Sequence, residues 1–222
     1  MQDCIINFSQ RKIQKNYRSI TGHFPSIKNN TSIGFESKLE KAHFLALEFD
    51  NEVISYQEQP QIEIFFNGKN QIYSVDCYIK RVKNSSKKDS IVEVKYTNEI
   101  EKKKEYFEKR FESAKVSSNK LNLDFEVYTE QNHSEIYLDN LDFLYRYKLY
   151  PIENKYENQI INLLKENKKI SAFDLANLIS QNLKDYPTIS NCIWDLVCKE
   201  KLKSDLQSAK VTMNSFAELA IE

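Results

Sequence analysis

The sequence predicts a mixed α/β core followed by a small helical unit with a β-wing. Three observations carry this. Residues 91–97 read Ile-Val-Glu-Val-Lys-Tyr-Thr, a β-branched and aromatic run that reads as a strand. Ile62–Phe66 and Gln71–Ile79 alternate like strands around Asn67-Gly68, a dipeptide that favours a tight hairpin turn. Apolar residues at helical spacing flank these strands, and beyond Pro151 that spacing takes over.

Taken in order, the stretch between Cys4 and Phe35 contains no acid but carries Arg11, Lys12, Lys15, Arg18 and Lys28. A basic arm over residues 4–35 can neutralise phosphates, which makes Arg11, Lys12, Lys15 and Arg18 candidate DNA contacts; a solvated terminus is the other reading. A helix is expected from Phe35 to Phe49, with Leu39, Phe44, Leu45 and Leu47 on its apolar side. Next comes the hairpin, then a polar loop from Lys83 to Asp89, then the strand 91–97. A helix over Glu99–Lys115 is expected to bury Ile100, Phe107, Phe111 and Ala114, with Lys102, Lys109 and Arg110 on its other face, solvated or turned toward DNA. A strand at Leu123–Thr129 and a helix at Ser134–Leu149 complete a first domain, residues 1–150.

The second unit, 151–222, opens with a helix through Tyr156, Ile160, Leu163 and Leu164. Ser171 with Asp174 reads as an N-cap for a second helix that buries Leu175, Leu178 and Ile179. Thr188 opens a third, with Ile189, Ile193, Leu196 and Val197 inward and Trp194 assigned to the core. Residues 202–204 and 210–213 read as short wing strands, so the unit is winged-helix-like. Its third helix is poor in Arg and Lys, and Asp195 and Glu200 would repel phosphates, so protein docking fits it at least as well as DNA reading.

Composition sets bounds. With 222 residues, 41% hydrophobic, 29% charged and a formal net charge of zero, the chain suits one medium domain plus a small one. It does not suit a protein that coats nucleic acid indiscriminately. No apolar run is long enough to span a bilayer and no signal-peptide pattern is present. Cys4, Cys77, Cys192 and Cys198 show no metal-site spacing, so a reducing cytoplasm is the expected compartment.

The chemistry concentrates on Asp76, Glu93 and Lys95. Alternation along a strand puts Glu93 and Lys95 on one face and Val92, Val94 and Tyr96 on the other. A carboxylate on a neighbouring strand, such as Asp76, completes a magnesium site beside that lysine. Magnesium takes oxygen ligands, keeps several waters, and needs only one or two protein carboxylates. It polarises a phosphoryl oxygen and lowers the pKa of a bound water, and the lysine orients that water or offsets transition-state charge. Spacing alone leaves open a solvated ion pair of little energetic worth.

The ordered motifs resemble a known family. Phe35-Glu36-Ser37-Lys38-Leu39-Glu40, Val53 through Pro60, Tyr73-Ser74-Val75-Asp76, Val92-Glu93-Val94-Lys95, Phe125 through Glu130 and Asn140-Leu141 together resemble the TnsA endonuclease subunit of heteromeric bacterial transposases, in the restriction-endonuclease-like superfamily. Two positions depart from that pattern: Val75 stands where the family commonly has proline, and Cys77 where an apolar aromatic often follows. The resemblance implies a restriction-endonuclease-like mixed sheet flanked by helices. It also implies catalytic roles for Glu40, Asp76, Glu93 and Lys95, with Glu40, Asp76 and Glu93 as metal ligands. Glu36 is the substitute for Glu40, and Gln59 lines the site or makes a strand-entry hydrogen bond. Ser37 and Glu40 equally spell a capping box, in which the glutamate only closes the helix N-terminus. By the same resemblance the cofactor is Mg²⁺, with Mn²⁺ substituting, and the compartment is the bacterial cytoplasm. The substrate is double-stranded DNA at transposon ends, cut on the 5′-end strands. The partners are a DDE-type transposase and an ATP-dependent regulator, with no membrane. A free-standing restriction or repair nuclease, or a decayed DNA-bound adaptor, are the competing readings.

Overall fold

The structure, a computed structural model, describes residues 6–8 and 20–220; Arg11, Lys12, Lys15 and Arg18 lie outside the described residues. The chain divides into two units, one ending at His133 and one beginning at Ser134.

In the first unit, β1 (Asn7–Phe8) pairs antiparallel with a later strand. Part of the stretch expected as an arm is a folded hairpin, β2 (Gly22–Ser26) against β3 (Thr31–Phe35), which buries Phe24, Ile33 and Phe35. Lys28, in its turn, has a structural job. Its ammonium donates to the carbonyl of Asp50 and, at 2.6 Å, to that of Val53. Those carbonyls lie just past α1 (Lys38–Phe49), where a cation also complements the helix dipole. Phe35 is still extended, so α1 starts later than its sequence pattern indicates. It buries Leu39, Phe44, Leu45 and Leu47, together with His43 and Glu48. The buried Glu48 carboxylate accepts from the Ser26 hydroxyl at 2.6 Å and the Tyr56 hydroxyl at 2.8 Å, which offsets its desolvation.

The strands β4 (Val53–Glu58), β5 (Pro60–Phe66), β6 (Lys69–Ser74), β7 (Cys77–Arg81), β8 (Ser90–Val94) and β9 (Asp124–Tyr128) form two sheets. One is the four-stranded sheet β4-β7-β8-β9, antiparallel except for the parallel β8–β9 pair; the other is β1-β5-β6. The Asn67-Gly68 turn joins β5 to β6 with φ of 51° and 79°, the left-handed pair a tight hairpin needs. The expected continuous strand 71–79 is in fact two strands. Both β4–β5 and β6–β7 cross from one sheet to the other, bending at Gln59 and at Val75-Asp76.

Between β8 and β9 run α2 (Thr97–Lys102) and α3 (Lys104–Lys120), separated at Lys103, whose φ −129° and ψ 40° interrupt the single helix expected there. Phe107 and Ala114 are buried, whereas Ile100 and Phe111 are only partly covered. The sheet lies between helices. Phe44 stacks on Tyr56 from one side at 5.4 Å, and Phe111 meets Phe125 on the other at 5.5 Å. The interior strand β8 is therefore buried along both faces rather than half-exposed.

The second unit contains α4 (Glu135–Leu149), α5 (Glu157–Asn167), β10 (Lys169–Ser171), α6 (Ala172–Ile179), α7 (Tyr186–Cys198), β11 (Leu202–Lys203) and β12 (Phe216–Leu219). Its antiparallel sheet runs β10-β12-β11. The division falls before α4 rather than after residue 150, because α4 packs within this unit. Phe143 meets Trp194 edge-on at 5.9 Å, and the Tyr147 hydroxyl donates to Asn191 Oδ1 at 3.2 Å. Asn140 staples the loop before β12: its amide donates to the carbonyls of Leu206 and Ala209 at 2.9 and 2.8 Å, and its oxygen accepts from Val211 N–H at 2.9 Å.

Ser171 caps α6, accepting from Asp174 N–H at 3.0 Å. Three expectations are corrected. The last wing strand lies at 216–219, since the Asn140 staple holds 206–211 as a loop. Leu178 is 53% exposed. Asp195 is fully buried between Lys199 Nζ at 2.8 Å and Asn154 Nδ2 at 3.1 Å, so it repels no phosphate. Cys77, Cys192 and Cys198 are free thiols, and among the described residues no helix is long and apolar enough to cross a membrane.

His43 gives the first unit a testable acid sensitivity. Its ring lies 4.5 Å from that of Tyr128, and Nε2 is buried without a hydrogen bond. Burial, then the nearby His133 and Arg81 charges, push its pKa down to about 3 from 6.5. The folded pKa lies below the unfolded one, so this stability is present above about pH 6.5 and lost as pH falls toward 3. His43→Phe keeps the stacking without the proton. Its melting temperature should therefore fall less than wild type between neutral pH and pH 4.5; parallel melting profiles would contradict this.

Candidate active site

The site forms where the two hairpin strands change sheets. Pairing of β7 with β8 stops at Cys77 opposite Val92. Beyond it β7's chain turns toward the other sheet, and the Val94 N–H is left without a strand partner. The Asp76 side chain replaces the missing carbonyl, accepting from Val94 N at 2.7 Å. The corner is closed on the other hairpin, where Gln59 N–H donates to the Asp76 carbonyl at 3.1 Å and Val75 N–H to that of Pro60 at 2.9 Å. Gln59 takes a φ of 53°, a left-handed conformation costing a non-glycine residue about 1–2 kcal/mol. At the bend it contributes this backbone bond.

Glu93 and Lys95 share a face, as alternation requires. Lys95 Nζ lies 3.1 Å from Glu93 Oε1 and 3.3 Å from Asp76 Oδ2, and donates to the Val94 carbonyl at 3.2 Å. This is no solvated ion pair: the Glu93 side chain is 6% exposed, and those of Asp76 and Lys95 about a quarter. Burial, then the Asp76 charge, push the Glu93 pKa up to about 7 despite the opposing ammonium. Burial works against the Lys95 ammonium, but Asp76 and Glu93 outweigh it and hold the proton on.

Glu40 is placed differently. Its Oε2 accepts from Glu36 N–H at 2.9 Å and its Oε1 from the Ser37 hydroxyl at 3.0 Å, while its own N–H donates to Ser37 Oγ at 3.0 Å. The capping box is made, with both carboxylate oxygens engaged. Glu40 still senses the site, since burial foremost and the Asp76 charge as well raise its pKa. Among the described residues no three His, Cys, Asp or Glu side chains converge to hold a metal ion. Two carboxylates do bracket one cationic group, and Glu93 Oε2 is buried without a hydrogen bond. An oxygen-only carboxylate pair fits magnesium, which leaves most of its shell to water and substrate.

Further residues complete the surroundings. Glu130 accepts from Thr97 N–H at 3.0 Å and from its hydroxyl, fixing α2 directly after Lys95. Tyr73 is buried next to Glu93, and Arg110, expected to face solvent, lies with its guanidinium 4.1 Å from the Tyr73 ring centroid. Neither had a local signature, because their approach depends on how α3 crosses β5 and β6.

Residues 50–130 match the family described as TnsA-like endonuclease N terminal. That stretch contains Asp76, Glu93, Lys95, Gln59 and Glu130, and the bend that brings the first three together. No curated protein matches the chain.

Glu40→Gln separates capping from chemistry, because glutamine also closes a capping box. Its stability should stay within about 0.5 kcal/mol of wild type. Lost cleavage on that intact fold would place Glu40 in the reaction; unchanged cleavage would leave it a cap. A second expectation concerns pH. A ligand must shed its proton to bind metal, so with Glu93 near 7, Mn²⁺ affinity should rise from pH 6 to pH 8. Calorimetric titrations across that range check this, and a flat profile would exclude Glu93 as a ligand.

Proposed function

We propose that this chain, a TnsA-type endonuclease through residues 50–130, hydrolyses the DNA strand at each 5′ end of a transposable element. A DDE-type transposase would cut and join the opposite strand, and an ATP-dependent regulator would govern the pair. The observation that carries the reading is the meeting of Asp76, Glu93 and Lys95 at the bend, with Lys95 Nζ within 3.3 Å of both carboxylates. Asp76 and Glu93 would hold Mg²⁺, or Mn²⁺ in its place, which supplies Lewis acidity and a water of lowered pKa.

The chain's own groups set the geometry. Asp76 is pinned by Val94 N–H, so its free oxygen keeps a fixed direction. Glu93 is shielded from water, which strengthens its charge interactions. Lys95 carries a full positive charge where negative charge develops on the scissile phosphate, and it can orient the attacking water. Glu40, if its cap opens on DNA binding, is placed to assist Asp76. A decayed adaptor has no physical reason to bury Glu93 beside a paired ammonium.

The second unit supports a division of labour. Beyond α4, the order of a helix, a strand, two helices and two further strands, with sheet order β10-β12-β11, supports the winged-helix-like reading. Within the unit α4 packs on α7, through Phe143 on Trp194 and Tyr147 on Asn191, and α7 presents no Arg or Lys before Lys199. End recognition is then the transposase's task, and this unit's role is docking to partner proteins.

The test is a reconstituted reaction with chain, transposase, end DNA and Mn²⁺. Wild type should nick the 5′-end strand. Asp76→Asn, which preserves an acceptor for Val94 N–H, should cut at least about 100-fold more slowly with little loss of melting temperature. Cutting of arbitrary duplex by the chain alone would favour a free-standing nuclease. Equal products from wild type and variant would make the chain an adaptor.

A further inference from the structure

Beside the site lie two buried oxygens without a hydrogen bond, Tyr73 Oη and Glu93 Oε2. Tyr73 is 3% exposed on the inner face of β6, in the apolar cluster that includes Val75, Ile91 and Ala114. Ile91 of that cluster lies on the same face of β8 as Glu93, two residues away, which brings the Tyr73 ring beside the Glu93 side chain. A buried phenol and a buried carboxylate left unpaired are each costly, and one bond between them removes both penalties.

The Tyr73 ring is itself held. The Arg110 guanidinium sits 4.1 Å from its centroid, 5.5 Å from that of Tyr106 and 5.9 Å from that of Phe66. Arg110 Nη1 also donates to the Tyr106 hydroxyl. Among the described residues Arg110 forms no ion pair, so aromatic faces rather than a carboxylate fix it. The chain Arg110–Tyr73–Glu93 thus runs from α3 through β6 to β8.

We propose that Tyr73 is the positioning residue for Glu93: its hydroxyl donates to Oε2 and turns Oε1 toward Lys95 and Asp76, while Arg110 clamps the ring. This rests on the metal-site reading above. It explains why a carboxylate so deeply buried presents one oxygen to the site, where Oε1 meets Lys95 at 3.1 Å. A phenol O–H is a donor at neutral pH. Outer groups that orient a metal ligand commonly account for 10–100-fold in metal affinity.

The experiment is calorimetric Mn²⁺ titration of the full chain, with melting temperatures, for wild type, Asp76→Asn, Tyr73→Phe, Arg110→Gln and Arg110→Lys. Tyr73→Phe, which removes only the hydroxyl, should weaken Mn²⁺ binding about 10–100-fold, with a fall in melting temperature because Oε2 is left unpaired. Arg110→Gln should weaken it in the same direction, with partial recovery in Arg110→Lys, which retains the cation over the ring. Wild-type affinity in Tyr73→Phe would overturn this proposal alone. An Arg110→Gln protein that binds Mn²⁺ normally but binds DNA poorly would overturn the clamp and make Arg110 a phosphate contact. Failure of wild type to bind Mn²⁺, or equal binding in Asp76→Asn, would overturn the metal-site reading and this proposal with it.

Discussion

One hydrogen bond, from Val94 N–H to the Asp76 carboxylate, anchors the candidate site. A strand that leaves its sheet strips its neighbour of an acceptor, and a buried N–H without a partner is costly. Asp76 repairs that loss at 2.7 Å and in doing so fixes its own position. The repair requires the bend, and the bend requires Gln59 in a left-handed conformation with its N–H on the Asp76 carbonyl. Lys95 then falls between Asp76 and Glu93 because alternation from Val94 leaves it no other face. Fold closure and site assembly use the same atoms, so Asp76→Ala mixes lost chemistry with a stability loss of about 1–3 kcal/mol, which Asp76→Asn avoids.

Burial does the electrostatic work. Glu93 lies on an interior strand covered by helices on both sides, and desolvation raises its pKa to about 7. The nearby ammonium opposes that rise without cancelling it. Asp76 and Glu93 would hold a cation in place of their contacts to Lys95, whose ammonium would then be available to the phosphate. The second unit uses polar groups differently: Asp195 is held by Asn154 and Lys199, Asn140 bonds the backbone of the loop before β12, and α4 packs on α7.

Much of this was legible before any coordinates. Alternation put Glu93 and Lys95 on one face, Asn67-Gly68 marked the hairpin, and Ser37-x-x-Glu40 and Ser171-x-x-Asp174 marked two helix starts. The bend at Val75-Asp76 was not legible, because no glycine or proline marks it and it is held by a contact from Gln59, distant in sequence. The full burial of β8 was hidden for a related reason: alternation identifies a face but not what covers it. The packing of α4 was equally silent, since its apolar spacing is the same whichever unit it joins. Lys28 and Arg110 misled as basic residues, because carbonyls at a helix end and aromatic rings are partners that no local pattern announces.

The most direct measurement is a Mn²⁺ anomalous-scattering map from crystals of the full chain. The account predicts one peak between the Asp76 and Glu93 carboxylates, with Lys95 Nζ moved off the line joining them and the Asp76–Val94 bond intact. A peak elsewhere on the chain, or no peak here while Lys95 still bridges both carboxylates, would contradict it.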